Sequence, residues 1–367
     1  MSKIITNLNK QVPNMSLNAV NNQSYLYTHH EPFKLVSGES LIQLDLAYET
    51  YGKINAQKDN VILIHHSLSM SAKADVWWDG MIGESKPLDT NKYFIICINN
   101  LGSCFGSTGP SNYSDINFPS ITIHDMVISQ KFLLDHLGIS KLKLITGGSM
   151  GGMLGLAWLQ LYPHMAENYF IAAASARAYP LNVFNRMIQQ EIIKANLNDP
   201  QLTLKIARML GYFFYRSSDE LNNRFSDIAG ELNKEIDHSD TPEYLNGAYK
   251  NTELYNYFSY NSDKFTKNFD YKSYLCLLNA MDYYDLTIQK PYHAAGFSKP
   301  SHDVKITIAG ISTDILFPLE QQIEIYDLLK LYGFSPKFIE HKSNYGHDAF
   351  LVEYNKFGEY ISELLGS

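Results

Sequence analysis

Positive charge is in deficit along this chain. Its 367 residues carry 30 Lys and Arg against 38 Asp and Glu, a formal net charge of −8. A surface of that sign repels a phosphate backbone, so nucleic acid is not expected as a general partner. Cysteine is scarce. Cys97, Cys104 and Cys276 are the three present, and their spacing matches neither a disulfide framework nor a metal site. Reduced thiols, no metal and a cytoplasmic setting are the expectations. Long apolar runs are missing too. No stretch approaches the roughly 18 apolar residues that would span a membrane, and Met1 to Asn14 lacks the apolar core of a secretory signal. No membrane partner is expected.

What is present is ordinary for a globular protein: 45% hydrophobic and 19% charged residues, with 26 Tyr and 19 Phe to fill a large core. The length suits one catalytic core with an insertion better than two independent domains. Residues 1–30 are polar and Asn-rich and read as a loose N-terminal arm. A strand-and-helix rhythm follows. Short apolar runs lie at Val61–Ile64, Phe94–Ile98, Leu142–Thr146, Tyr169–Ala174, Val304–Ala309 and Lys337–Glu340. Such runs suit strands buried on both faces of a parallel sheet. Between several of them the pattern is helical, as from Asp125 to Leu137, where Gly138 stops it. The rhythm breaks between about Pro180 and Pro300, where Leu, Ile, Tyr and Phe recur at helical spacing. The expected architecture is α/β: a core from 31–180 and 299–367, mostly parallel in its sheet with helices on both faces, and a helical lid inserted at 181–298.

The strongest chemical signal is Gly147-Gly148-Ser149-Met150-Gly151-Gly152. It follows an apolar run and precedes a helix-compatible one, the setting of a nucleophile elbow. A Gly-rich strand-to-helix turn without catalysis has the same local sequence. A serine hydroxyl is a weak nucleophile until a base takes its proton. In a hydrolase-type α/β fold the acid and then the histidine come later in the chain, and Asp314 and His347 stand in that order, each just beyond an expected strand. Taken singly, Asp314 also suits a helix N-cap and His347 an ordinary loop. The oxyanion would take the backbone N–H of Met150 and one from the His65-His66-Ser67-Leu68-Ser69 loop, for which Leu68 is the choice.

Several blocks together resemble the homoserine O-acetyltransferase family of α/β-hydrolase-fold acyltransferases. They are Tyr48-Glu49-Thr50-Tyr51-Gly52; Trp77-Trp78-Asp79; Asn100 through Ser111, reading Asn-Leu-Gly-Ser-Cys-Phe-Gly-Ser-Thr-Gly-Pro-Ser; Phe118-Pro119 through Asp125-Met126-Val127; Gly147 to Met153; and Gly346-His347-Asp348-Ala349-Phe350-Leu351. Tyr215-Arg216-Ser217 and Tyr257-Phe258-Ser259-Tyr260 extend the likeness into the insertion.

The resemblance implies a ping-pong reaction. Acetyl-CoA, a cosubstrate rather than a cofactor, acylates Ser149, and the hydroxyl of L-homoserine then attacks the acyl-enzyme. It implies a lid arginine for the amino-acid carboxylate, assigned to Arg216, and Asp348 for the ammonium. It also implies a homodimer formed through the lid. The chain departs from the family in one loop. His66-Ser67-Leu68-Ser69-Met70 stands where the family usually has His-Ala-Leu-Thr-Gly, and Lys73 stands where a further histidine is usual. Succinyl-CoA as donor, serine as acceptor, and an esterase using water all stay open beside the first reading.

Overall fold

The computed structural model describes residues 23–113, 117–232, 247–288, 297 and 304–366. Eight strands form the central sheet: β1 Gln23–His29, β2 Leu44–Tyr51, β3 Val61–His65, β4 Phe94–Ile98, β5 Leu144–Gly148, β6 Asn168–Ala172, β7 Lys305–Ile311 and β8 Lys337–His341. Their spatial order is β1-β2-β4-β3-β5-β6-β7-β8. β2 runs antiparallel to both β1 and β4. The other neighbours are parallel. This is the mostly parallel α/β sheet that the apolar runs imply.

The alternation along β3 shows why those runs become strands. Val61 and Leu63 point into one core cluster, while Ile62 and Ile64 point into the other on the opposite face. Every residue of β3, β4, β5 and β6 is buried. Truncating one of these side chains to Ala would cost about 2–5 kcal/mol through lost transfer energy and the cavity left behind.

Nine helices of seven or more residues are described: α1 Ile123–His136, α2 Met150–Leu161, α3 Pro180–Ala195, α4 Pro200–Tyr215, α5 Ser218–Arg224, α6 Glu253–Thr266, α7 Tyr271–Asp282, α8 Leu319–Leu331 and α9 Tyr354–Leu365. Thr122 and Asp125 close a reciprocal capping box at the start of α1, which fixes that boundary. α1 and α2 contribute to the first core cluster, and α9 packs Phe357 and Ile361 into the second. Helices α3 to α7 lie in the chain between β6 and β7, two strands that pair directly. The helical insertion therefore leaves and re-enters the sheet at adjacent strands. Parts of it, residues 233–246, 289–296 and 298–303, lie outside the described residues.

The N-terminal arm needs correction. Seven residues near its end are not loose: Gln23–His29 form β1, the sheet edge, paired in register from Gln23↔Thr50 to His29↔Leu44. An edge strand presents one side to solvent, so it carries Ser, Thr and Tyr that read as arm. Residues 1–22 of the arm lie outside the described residues.

Candidate active site

The sheet brings four loops to the carboxyl ends of its strands, where open α/β sheets build their sites. Ser149 follows β5, Leu68 lies beyond β3, Asp314 beyond β7 and His347 beyond β8.

Ser149 joins β5 to α2 with φ 60° and ψ −127°. Only a tightly determined turn holds a non-glycine residue there. Its neighbours must be small. A Cβ on Gly151 would stand 2.3 Å from the carbonyl oxygen of His65, and one on Gly148 would stand 2.5 Å from the ring of Phe350. The Ser149 amide donates to Ala172 O at 3.1 Å, while its hydroxyl makes no capping bond to the helix it precedes. Met150 follows as the first residue of α2, where N–H groups have no intrahelical acceptor and the positive end of the helix dipole lies.

His347 and Asp314 are in direct contact. Nδ1 of the imidazole lies 2.7 Å from Asp314 Oδ2, so the ring donates through Nδ1 to an ionised carboxylate. The other oxygen, Oδ1, accepts from the amides of Leu316 and Phe317, each at 2.9 Å. Burial works against a charged imidazole, but the charge and hydrogen bond of Asp314 outweigh it and raise the His347 pKa. The segment that carries His347 packs onto the Ser149 turn. Phe350, three residues on, lies against Gly148, and its carbonyl accepts from Trp78 Nε1 at 3.0 Å.

The loop with Leu68 is tied to the same turn. Ser67 Oγ donates to Gly148 O at 2.9 Å. Behind it runs a buried polar chain. Trp158 Nε1 donates to Gln130 Oε1 at 2.9 Å, and Gln130 Nε2 to Asn100 Oδ1 at 3.2 Å. The Asn100 backbone N–H then donates to His66 Nε2 at 3.1 Å. His66 must therefore carry its proton on Nδ1, which lies 2.9 Å from Ser67 O. Burial pushes the pKa of His66 down to about 4 and that of His65 down to about 3. Both are neutral at pH 7.

The structure pairs the two residues that the resemblance assigns to the acceptor. Arg216, at the end of α4, is engaged by Glu220 at 3.0 and 3.3 Å and by Tyr257 Oη at 3.3 Å. Its Nε lies 3.6 Å from Asp348 Oδ2. The two residues assigned to opposite ends of one ligand therefore face each other. Burial is the main cause raising the Asp348 pKa, with Arg216 opposing it.

Sequence reasoning missed Arg208, two turns earlier on α4. Its guanidinium is buried among the rings of Tyr212, Tyr215 and Phe265, with centroids 4.7, 5.0 and 4.7 Å away. Nη1 donates to Tyr215 Oη and Nη2 to Ser69 Oγ, both at 3.1 Å. Nε is buried without a hydrogen-bond partner. Tyr215 in turn lies 5.8 Å, ring to ring, from His347. Arg208 thus stands between the Leu68 loop and the His347 side of the site. The available signal was helical phase, since Arg208 shares a face with buried Leu204, Ala207 and Gly211.

Among the described residues no cluster of His, Cys, Asp or Glu suits a metal ion, and no helix is long and apolar enough to cross a membrane.

Residues 60–354 match the family model of the alpha/beta hydrolase fold. A homoserine O-acetyltransferase from Methanococcus vannielii is 40% identical over 92% of this chain and 72% of its own length. This chain belongs to the homoserine O-acetyltransferase family. Another relative, a serine O-succinyltransferase from Xylella fastidiosa, is 35% identical over 93% of this chain and 97% of its own. Among solved structures, the homoserine O-acetyltransferase from Bacillus anthracis superposes with a TM-score of 0.78 at 22% identity, covering 94% of this chain and 98% of that one. Sequence likeness carries the family assignment, and the likeness to solved structures shows the alpha/beta-hydrolase fold.

Proposed function

We propose that the protein moves an acyl group from an acyl-CoA thioester to the side-chain hydroxyl of L-homoserine, through an ester on Ser149. The observation that carries the reading is the His347–Asp314 pair at 2.7 Å, held against a strained serine turn. His347 Nε2 takes the proton from Ser149 Oγ, and the oxygen attacks the thioester carbonyl. The N–H groups of Leu68 and Met150 hold the oxyanion. The C–S bond breaks, and His347 returns the proton to the thiolate. Homoserine then gives its hydroxyl proton to His347 and attacks the acyl-serine carbonyl. The ester C–O bond breaks, Ser149 regains its proton, and O-acylhomoserine leaves. Asp314 holds the imidazole in the tautomer this cycle needs and stabilises its cation.

In this reading the acceptor is anchored by charge. Asp348 takes the ammonium, and Arg208 takes the carboxylate because its guanidinium, bonded to two hydroxyls rather than paired with a carboxylate, lies beside the reacting loops. Arg216 then serves to hold Glu220 and Asp348. Acetyl-CoA is the donor that the relatives' names favour. The chemistry requires no cofactor, and a cytoplasmic setting suits it. We also assign residues 181–298 as a lid that carries a homodimer contact. Leu181, Phe184, Met187, Leu202, Ile206 and Phe213 of α3 and α4 are exposed, an apolar surface of the kind that partners cover.

The test is thiol release from acetyl-CoA with and without homoserine, with mass spectrometry of the enzyme. An acetyl adduct on Ser149 that homoserine discharges is expected. Thiol release at the same rate without any amino acid would point to a hydrolase instead.

A further inference from the structure

Between β8 and the single 3₁₀ turn at Gly346–Asp348, residues 342–345 have no regular structure. That segment delivers His347 to the site. A stretch without helix or strand bonds is placed by whatever else satisfies its backbone. Here hydroxyls do so. Ser312 Oγ accepts from the Ser343 N–H at 3.3 Å, and Ser343 Oγ accepts from the Tyr345 N–H at 3.0 Å. Ser217, at the α4–α5 junction of the insertion, donates to Asn344 O.

Thr313 makes two such bonds by itself. Its Oγ1 donates to Ser343 O at 2.7 Å and accepts from the Gly346 N–H at 3.2 Å. Thr313 directly precedes Asp314, and Gly346 directly precedes His347. The bond between Thr313 and Gly346 therefore runs beside the one between Asp314 Oδ2 and His347 Nδ1, at 2.7 Å. Two hydrogen bonds and two short stretches of chain close a ring. The inner bond joins the reacting groups, and the outer one joins the backbone next to each.

Gly346 leaves little slack. Its φ is +64°, and a Cβ there would stand 2.8 Å from Ser217 N and 2.9 Å from Tyr215 O. The backbone of the insertion thus lies directly against it. An imidazole on a displaced backbone could keep its contact with Asp314 by rotating, but its Nε2 would then miss Ser149. Misplacing a catalytic group by about 1 Å costs on the order of 100-fold in rate.

We propose that Thr313 is a positioning residue for proton transfer, its hydroxyl setting where His347 stands relative to Asp314 and Ser149. The inference rests on the acyl-serine reading. Thr313 touches no reacting atom and acts through Ser343 and Gly346.

The test compares Thr313→Val and Thr313→Ser with wild type in the full-length protein. Val keeps the branched shape without the hydroxyl, and Ser keeps the hydroxyl. Acylation is followed by mass spectrometry with acetyl-CoA alone, as the rate of Ser149 adduct formation at rising donor concentration. In Thr313→Val the saturating rate should fall by roughly 10- to 100-fold. The half-saturating concentration should stay within about twofold of wild type, since donor binding is not touched. The low-field proton resonance of His347 Nδ1 should shift or broaden. Thr313→Ser should recover most of the rate and the resonance. Should Thr313→Val not fold, Thr313→Cys must show the same losses, because a thiol is a weak donor and acceptor. A saturating rate in Thr313→Val equal to that of wild type overturns the proposal. So does a rate loss with an unchanged resonance, which would show that His347 has not moved. Equal losses in Val and Ser also overturn it, by showing that packing matters and the hydroxyl does not. A wild type that takes no acetyl adduct overturns the acyl-serine reading, and the proposal with it.

Discussion

Arg216 Nε and Asp348 Oδ2 stand 3.6 Å apart, in a pair that also includes Glu220. A guanidinium with two carboxylates around it has little left to offer a third. Arg208, flanked by aromatic faces and bonded to two hydroxyls, has more. Arg208→Ala should therefore slow transfer from acyl-Ser149 to homoserine by about 10- to 100-fold, as for a lost hydrogen bond to a charged group. Arg216→Ala should lower the melting temperature and affect that step less. Separate rates for the two half-reactions check this. A larger effect on the acceptor step from Arg216→Ala would return the carboxylate to Arg216.

Ser149→Ala should leave the fold and its melting temperature close to wild type, because the site around residue 149 needs a small side chain and Ala is smaller than Ser. Activity should drop by on the order of 10⁶, as when a covalent nucleophile is lost. A folded variant that retains a tenth of the rate would refute the acyl-serine mechanism.

The pH profile follows from the raised His347 pKa. The base must be neutral to accept the Ser149 proton, so acylation should rise with pH along a limb centred above the ordinary histidine value of about 6.5. Asp314→Asn removes the charge that raises it, so the remaining activity should be far lower and its limb should move to lower pH. A limb at unchanged pH in Asp314→Asn would show that another group titrates.

Stability should have its own pH dependence. His65 and His66 are held neutral, with pKa values lowered by burial to about 3 and about 4. A group whose folded pKa is depressed stabilises the fold above its unfolded value and loses that contribution as pH falls toward the folded value. His347 has the opposite sign: its contribution is full below about 6.5 and is lost as pH rises through its raised value. Thermal melts from pH 7 down to 4 should show falling stability, and His65→Gln should flatten that fall. An unchanged slope in His65→Gln would exclude its burial as the cause.

The exposed apolar side chains of α3 and α4 lead to a prediction for assembly. Phe184→Asp with Met187→Asp should convert a dimer into a monomer at micromolar concentration, read by mass in solution. A wild-type protein that is already monomeric would remove the contact altogether.

Much of this was legible in the sequence for a physical reason. Strands β3 to β6 are buried on both faces, so each carries a short, largely apolar run. The positions of Ser149, Asp314 and His347 could be read because each follows an expected strand. β1 was hidden because an edge strand is half solvated, and Gln23–His29 alternates polar and aromatic residues. The different surroundings of Arg208 and Arg216 were not legible because both lie on or next to one helix, eight residues apart. Only the helix's orientation decides which of them is buried among rings, and composition does not encode that.

The polar chain from Trp158 to His66 has a consequence for how the protein loses activity. Each of its groups is sealed from water and bonded in series across α2, α1 and the loop after β4. Loosening at the α1–α2 contact would admit solvent competitors for Gln130 and Asn100, and the loop that carries Leu68 would lose its fixed position while the sheet stayed whole. Inactivation on heating should therefore precede unfolding, with the environment of Trp158 changing first and the loss of secondary structure following at higher temperature.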